Sequence, residues 1–464
     1  MIKGLASRVE VSPFFYLTDT KADRGVYALD TAQAMLELLG EAVLQLLIQP
    51  FYYIAVLFII LQYSRQMRME RQLFAVKLHN WIGLTAKAVL MGLLAGLAAS
   101  LAGAFIGATL SGTAVIWLWA VAALLMIIRI RYLCFAYSAG IILLLQWIVG
   151  FTPLAERADW LGAAAASLEG IDGSGLLLLV ALLHLAEALL VKLHGDRLST
   201  PLFLEGKRGK LVGGYMLQGF WPVPLFLLAP VADSAAAGHA STLTLPWTPL
   251  FGADWSQGWT IVALPMVIGM TEMTRAMLPK AKAKHAAQGL LAYSIILGAA
   301  AIAAWWQPAL LPLAAVLSFV LHEALIWRSK LAESKRTPLY VHDARGLRIL
   351  GIVPGTPAEA MGLLAGETLH KVNGRRVFSK EELYEALAVN SAFCKLEVYN
   401  TEGELKFAQR ARYAGEHHQL GVILAPDEQA NYYAANGPAS LLALIRGLKA
   451  ANRRGRTESE ASNL

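Results

Sequence analysis

Residues 88–128 read AVLMGLLAGLAASLAGAFIGATLSGTAVIWLWAVAALLMII and contain no Asp, Glu, Lys or Arg. A helix needs roughly 20 mostly apolar residues to cross a bilayer, so this run holds two crossings with a turn near Ser111-Gly112. Working outward, similar blocks recur at 45–63, 132–151, 173–193, 211–231 and 255–274. Residues 286–325 hold two more, parted by Trp305-Trp306-Gln307-Pro308, which suits an interfacial turn. Pro222, Pro224 and Pro265 interrupt two of these blocks. The chain is 56% hydrophobic and 16% charged, which departs from soluble averages towards a membrane protein.

The basic residues orient the blocks. Arg65, Arg68, Arg71 and Lys77 follow the first, and Arg129 and Arg131 the third. Further clusters follow at Lys192 to Lys210, Arg275 to Lys284 and Arg328 to Arg336. The alternate loops are nearly free of Lys and Arg, so every cluster is expected in the cytoplasm. The net charge of +7 is therefore a topology signal, and no nucleic acid is expected as partner. Within 30–49, Asp30, Gln33, Glu37, Glu41, Gln45 and Gln49 form a polar stripe, which fits either an extra span or a helix lying at the interface. The first 27 residues show no basic start followed by a short apolar stretch, so no cleavable signal is expected.

Composition turns ordinary near Lys335. The expected fold class is an α-helical polytopic membrane bundle followed by a small α+β domain, a partly open antiparallel barrel with two helices. The expected boundaries are an N-terminal segment over 1–29, a multi-pass domain of about eight to ten helices over 30–334, the cytoplasmic domain over 335–425 and a tail over 426–464. In the third part, Leu339 to His342 and Leu347 to Val353 read as strands. Thr356-Pro357-Ala358-Glu359 and Ser379-Lys380-Glu381-Glu382 are capping boxes opening helices. Leu369 to Val372 is a strand, and Asn373-Gly374 a tight turn. Phe393 to Tyr399 and Glu404 to Ala411 read as a hairpin. In the tail, Leu441 to Leu448 reads as a short helix.

This order of elements resembles a bacterial-type PDZ domain. The resembling residues are Ile352-Val353-Pro354-Gly355-Thr356-Pro357-Ala358, Gly362-Leu363, Gly366-Glu367 and Val372-Asn373-Gly374 with Val377. The resemblance implies that an extended peptide, an internal segment or a C-terminus, adds to a strand edge and lies against the second helix. On that reading the peptide-binding residues are Gly346, Leu347, Arg348, Ile349, Leu350, Gly351 and Ile352, with Lys380, Tyr384 and Leu387 opposite. Arg348 stands where the family usually has glycine, which questions strict carboxylate capture while placing a guanidinium nearby.

Catalytic signals are weak. His322-Glu323 begins a zinc-protease pattern, but position 326 is Ile, so the second ligand is missing. His184 and Glu187 sit at i and i+3 inside one span, where ionisable groups invite a functional hypothesis and also suit an interhelical hydrogen bond. Cys134 and Cys394 lie far apart and suggest neither a metal cluster nor a disulfide. No catalytic residue, metal or cofactor is expected. Gly92, Gly96, Ser100, Ala104 and Ala108 form a small-residue face for close packing, within the bundle or between copies.

As a whole the chain resembles the MinJ family of cell-division topological determinants, on its architecture, the basic stretch 64–77 and the PDZ residues above. The resemblance implies a scaffold in the cell membrane at septum and poles, bridging DivIVA-like and MinD-like division proteins. A presenter of substrates to a membrane protease and a transporter with a PDZ appendage are the alternative classes.

Overall fold

The computed structural model describes residues 21–76, 78–206, 209–230, 245, 247–251, 258–390, 392–411 and 420–427. The expected helix at 441–448 lies outside the described residues. The first part comprises α1 (Lys21–Ile48), α2 (Pro50–Phe74), α3 (Trp81–Ile106), α4 (Gly112–Ile128), α5 (Phe135–Val149), α6 (Trp160–Glu169) and α7 (Gly173–His194). Three strands follow, β1 (Ser199–Glu205), β2 (Leu211–Pro230) and β3 (Trp259–Thr274), then α8 (Pro279–Trp306) and α9 (Leu311–Ser334). Among the described residues, five helical segments are long and apolar enough to cross a membrane: Asp30–Ile48, α3, α7, α8 and Pro308–Ser334. The α4 and α5 helices are apolar but shorter. Leu90, Leu94, Leu97 and Leu101 of α3 are exposed, an apolar outer face of the kind that lipid covers.

The expected break at Ser111-Gly112 falls where the Ser111 hydroxyl accepts from the Ala114 N–H and opens α4. The α8–α9 break falls at Gln307-Pro308. The first expected block, 45–63, is instead divided, because Pro50 starts a new helix. That helix continues to Phe74, so Arg65, Arg68 and Arg71 lie on a helix rather than in a loop. On α1, Leu38, Ala42 and Leu46 face inward, while Gln33 and Glu37 bond to each other on the exposed side.

The main correction concerns 211–231 and 255–274, expected as helices. They are the antiparallel strands β2 and β3, paired from Tyr215↔Thr274 to Pro230↔Trp259, with β1 on the other side of residues 211–217. A run that is apolar on both faces cannot be told from a buried helix by periodicity. The prolines decide it. Pro224 stands directly opposite Pro265. Neither has an N–H, so this is a non-hydrogen-bonded pair with both ring nitrogens turned off the ladder.

An uncovered strand edge is not tolerated at membrane depth, and α3 covers this one. A Cβ on Gly92 would lie 2.1 Å from the Pro222 carbonyl oxygen, and one on Gly96 would lie 2.1 Å from that of Pro224. One step further, the Ser100 hydroxyl accepts from the Phe226 N–H (2.8 Å) and donates to the Gly96 carbonyl (2.7 Å). Four helical residues rise about 6 Å and two strand residues about 6.7 Å. Positions 92, 96 and 100 therefore track 222, 224 and 226. The small-residue face serves packing within the bundle, against a strand.

The C-terminal unit contains β4 (Leu347–Ile352), α10 (Pro357–Ala360), β5 (Thr368–Val372), β6 (Arg375–Arg376), α11 (Lys380–Ala388), β7 (Phe393–Tyr399), β8 (Leu405–Ala411) and β9 (Val422–Leu424). Its sheet runs β8-β7-β5-β4-β9, with β6 on β5. This is the expected helical bundle followed by a small PDZ-like domain. At α11 the Ser379 hydroxyl caps the Glu382 N–H, and Glu382 reaches back one residue past the cap to accept from the Phe378 N–H. Residues 339–342 form no strand; Tyr340 makes an isolated bridge to Gly213.

That bridge is part of a docking contact. The Gly213 N–H donates to the Tyr340 carbonyl (3.0 Å), and the Tyr215 hydroxyl donates to the Leu350 carbonyl. Tyr340, Leu350 and Ile423 are buried in the same core cluster as Tyr215. Beside them, the buried Lys282 ammonium lies 3.2 Å from Glu272 and 3.5 Å from Glu333. Glu333 also accepts from the Arg275 N–H, and the Arg275 carbonyl accepts from the Leu339 N–H. The polar network thus ties the end of α9 and the start of the PDZ-like domain to the hairpin.

Candidate peptide groove and its anchorage

The strand expected to receive a peptide is not at the sheet's edge. Leu347 and Arg348 pair with β5, while Ile349, Gly351 and Ile352 pair with β9. Its side chains are divided between two cores. Leu347 and Ile349 point into the domain, and Leu350 points onto the bundle. Gly346, at φ 146, brings its backbone so close to Leu369 that a Cβ would lie 2.0 Å from the carbonyl oxygen.

Arg348 is also committed. Its guanidinium donates to the Gly366 carbonyl (2.7 Å) and to Asp343 (3.1 Å), and its side chain is 11% exposed. Burial works against the charge of Asp343, yet the hydrogen bonds and charge of Arg345, with the charge of Arg348, hold its carboxyl below the usual range. Burial holds His342 below its ordinary value of 6.5. Neutral His342 accepts the Arg348 N–H at Nδ1 (3.0 Å) and contacts the Ala425 backbone. It therefore links the start of β4 to the end of β9.

The sheet's outer edge belongs to β9. The Gly421 carbonyl accepts from the Val353 N–H (2.8 Å), and the Ala425 N–H donates to the Arg348 carbonyl (2.9 Å). Residues 421, 423 and 425 thus turn their backbone groups to β4, and the alternation turns those of Val422 and Leu424 outward. Among the described residues no strand pairs with that edge. Val422 and Leu424 pack against the same core as α11, whose Leu387 is buried while Lys380 and Tyr384 are exposed. Sequence reasoning missed β9 because the stretch from residue 353 to residue 421 separates it from β4. Its one signal is the apolar run Leu420-Gly421-Val422-Ile423-Leu424. There Gly421 has φ 83, and a Cβ would clash with the Thr356 hydroxyl.

The structure also joins side chains that the sequence keeps apart. His184 of α7, His322 of α9 and Cys134 before α5 meet inside the bundle. Neither cysteine forms a disulfide.

No family model and no solved structure matches the chain. Among curated proteins, it is 32% identical over 246 residues to the Bacillus subtilis (strain 168) cell division topological determinant MinJ, covering 52% of this chain and 58% of that protein. It is also 32% identical over 293 residues to the probable MinJ of Lacticaseibacillus paracasei, covering 58% of this chain and 73% of that protein. The Lacticaseibacillus casei (strain BD-II) protein matches to the same extent. The chain belongs to the MinJ family. The match spans under two thirds of the Bacillus subtilis MinJ and nearly three quarters of the Lacticaseibacillus ones. MinJ relatives are named for cell division, and none of these names describes an enzyme.

Proposed function

We propose that this chain is a multi-pass scaffold of the cell membrane that holds division proteins at septum and poles through a cytoplasmic PDZ-like domain. The observation that carries the reading is the outward edge of β9, which packs into the same core as α11, on a domain locked to an apolar bundle by Tyr340, Leu350 and Ile423. A partner segment would add to Val422 and Leu424 by backbone hydrogen bonds, with side-chain pockets against Tyr384 and Lys380. Attachment to a bilayer raises the local concentration of weakly held partners, so modest affinity suffices. The basic clusters orient the domain to the cytoplasm. Family resemblance names the partners to try first, DivIVA-like and MinD-like proteins.

The test is co-purification of the full chain with these proteins. Val422→Pro removes one outward N–H without touching the β4 ladder. It should reduce recovery of at least one partner at unchanged chain abundance, as should Tyr384→Glu. Undiminished recovery with both variants would place the binding surface elsewhere.

A further inference from the structure

We propose that Cys134, His184 and His322 form a zinc site inside the helical bundle. Their ligand atoms all lie within 4.8 Å of one another, and they come from three different elements. The Cys134 Sγ is 3.5 Å from His184 Nε2 and 3.7 Å from His322 Nε2. A tetrahedral zinc ion, at about 2.3 Å from sulfur and about 2.05 Å from nitrogen, holds those atoms about 3.6 Å apart. The two sulfur–nitrogen distances are those of ligands around an ion.

The surrounding hydrogen bonds fix what each imidazole offers. His184 Nδ1 lies 2.8 Å from the Val180 carbonyl, which only accepts, so Nδ1 carries the proton and Nε2 a lone pair. Arg131 donates to Glu323 (2.7 Å), which therefore accepts as a carboxylate. The Tyr137 hydroxyl donates to the same carboxylate oxygen (3.0 Å) and so accepts from His322 Nδ1 (3.0 Å). His322 Nε2 is then a lone pair as well. Two lone pairs converge on one thiol, which has a single hydrogen to give. A cation, with release of that proton, satisfies all three groups at once.

The outer partners are those that metal-bound histidines need: a carbonyl behind one ring, and a tyrosine held by a carboxylate–arginine pair behind the other. One thiolate and two imidazoles select zinc over hard cations. Among the described residues no fourth His, Cys, Asp or Glu joins the group. The ion would pin α7 and α9 to the start of α5. The unfinished protease pattern at His322-Glu323 finds its second histidine on another helix.

The test uses full-length protein purified in mild detergent. Elemental analysis should find near-stoichiometric zinc. After chelation and addition of cobalt(II), a tetrahedral spectrum with a thiolate-to-cobalt band should appear. Cys134→Ser should abolish that band and Cys394→Ser should keep it. Tyr137→Phe should weaken metal affinity about 10–100-fold while the chain stays folded. Wild-type protein with no zinc above the detergent blank and no cobalt band would overturn the proposal. So would a band lost with Cys394→Ser and kept with Cys134→Ser.

Discussion

Replacing Gly96 by leucine puts a side chain where the Pro224 carbonyl now sits. The first added carbon alone would lie 2.1 Å from that oxygen, far inside the 3.4 Å at which ordinary contact begins. The obstruction is backbone held by β3, so it cannot swing aside. Overpacking of this kind costs about 1–3 kcal/mol. Ser100→Ala acts on the same seam without adding bulk. It leaves the buried Phe226 N–H without its acceptor, a loss of about 1–3 kcal/mol. The two sites share one contact, so the double variant should lose less than the sum. In a chain of this size each change should lower the apparent Tm by roughly 1–3 °C, read by fluorescence-detected gel filtration of heated detergent extracts. Gly40→Leu, where a Cβ meets nothing within 4 Å, is the control. If Gly96→Leu and Ser100→Ala both melt with the wild type, β2 does not run along α3, and the hairpin account fails.

Acidification should loosen the contact that His342 makes between β4 and β9. His342 is held below 6.5 in the folded chain, so the unfolded state binds the proton first, and stability falls as pH drops below about 6.5. Melting curves of wild type and His342→Gln should diverge between pH 7 and about 5.5, with the variant less sensitive; parallel curves would exclude His342 as the cause. Lys282→Ala leaves Glu272 and Glu333 facing one another without their cation, and should cost about 3–5 kcal/mol. Limited proteolysis should then cut faster near Lys335 than in wild type. Reporter fusions at Ala75 and at Lys335 should both register as cytoplasmic; an external readout at Lys335 would contradict the proposed topology.

The helices were legible wherever an apolar block ended in a chemical stop. Ser111 caps α4, Pro308 follows the break after α8, and Asp172 caps α7 through the Gly175 N–H. The order of elements in the PDZ-like domain was legible too, because its turns carry specific residues: Asn373 and Gly374 adopt the positive φ that a tight turn needs. The hairpin was not legible, since β2 is buried on nearly every side chain and so lacks the alternation that marks a half-exposed strand. Only the unusual placing of three prolines hinted at it. The pairing of β4 was hidden for a different reason: motif spacing locates β4, while strand order depends on a partner distant in sequence. The Cys134–His184–His322 cluster has no local spacing at all, because each member comes from a separate segment.

On the proposed function, the chain fixes partners at the division site. The most direct measurement is fluorescence microscopy of the full-length fusion, produced at its native level, together with a labelled DivIVA-like or MinD-like partner. The account predicts mid-cell and polar enrichment of the fusion, partner enrichment that weakens with Val422→Pro, and filamentous or minicell-forming cells when the gene is lost. A fusion spread evenly over the membrane, in cells that divide normally without it, would contradict the account.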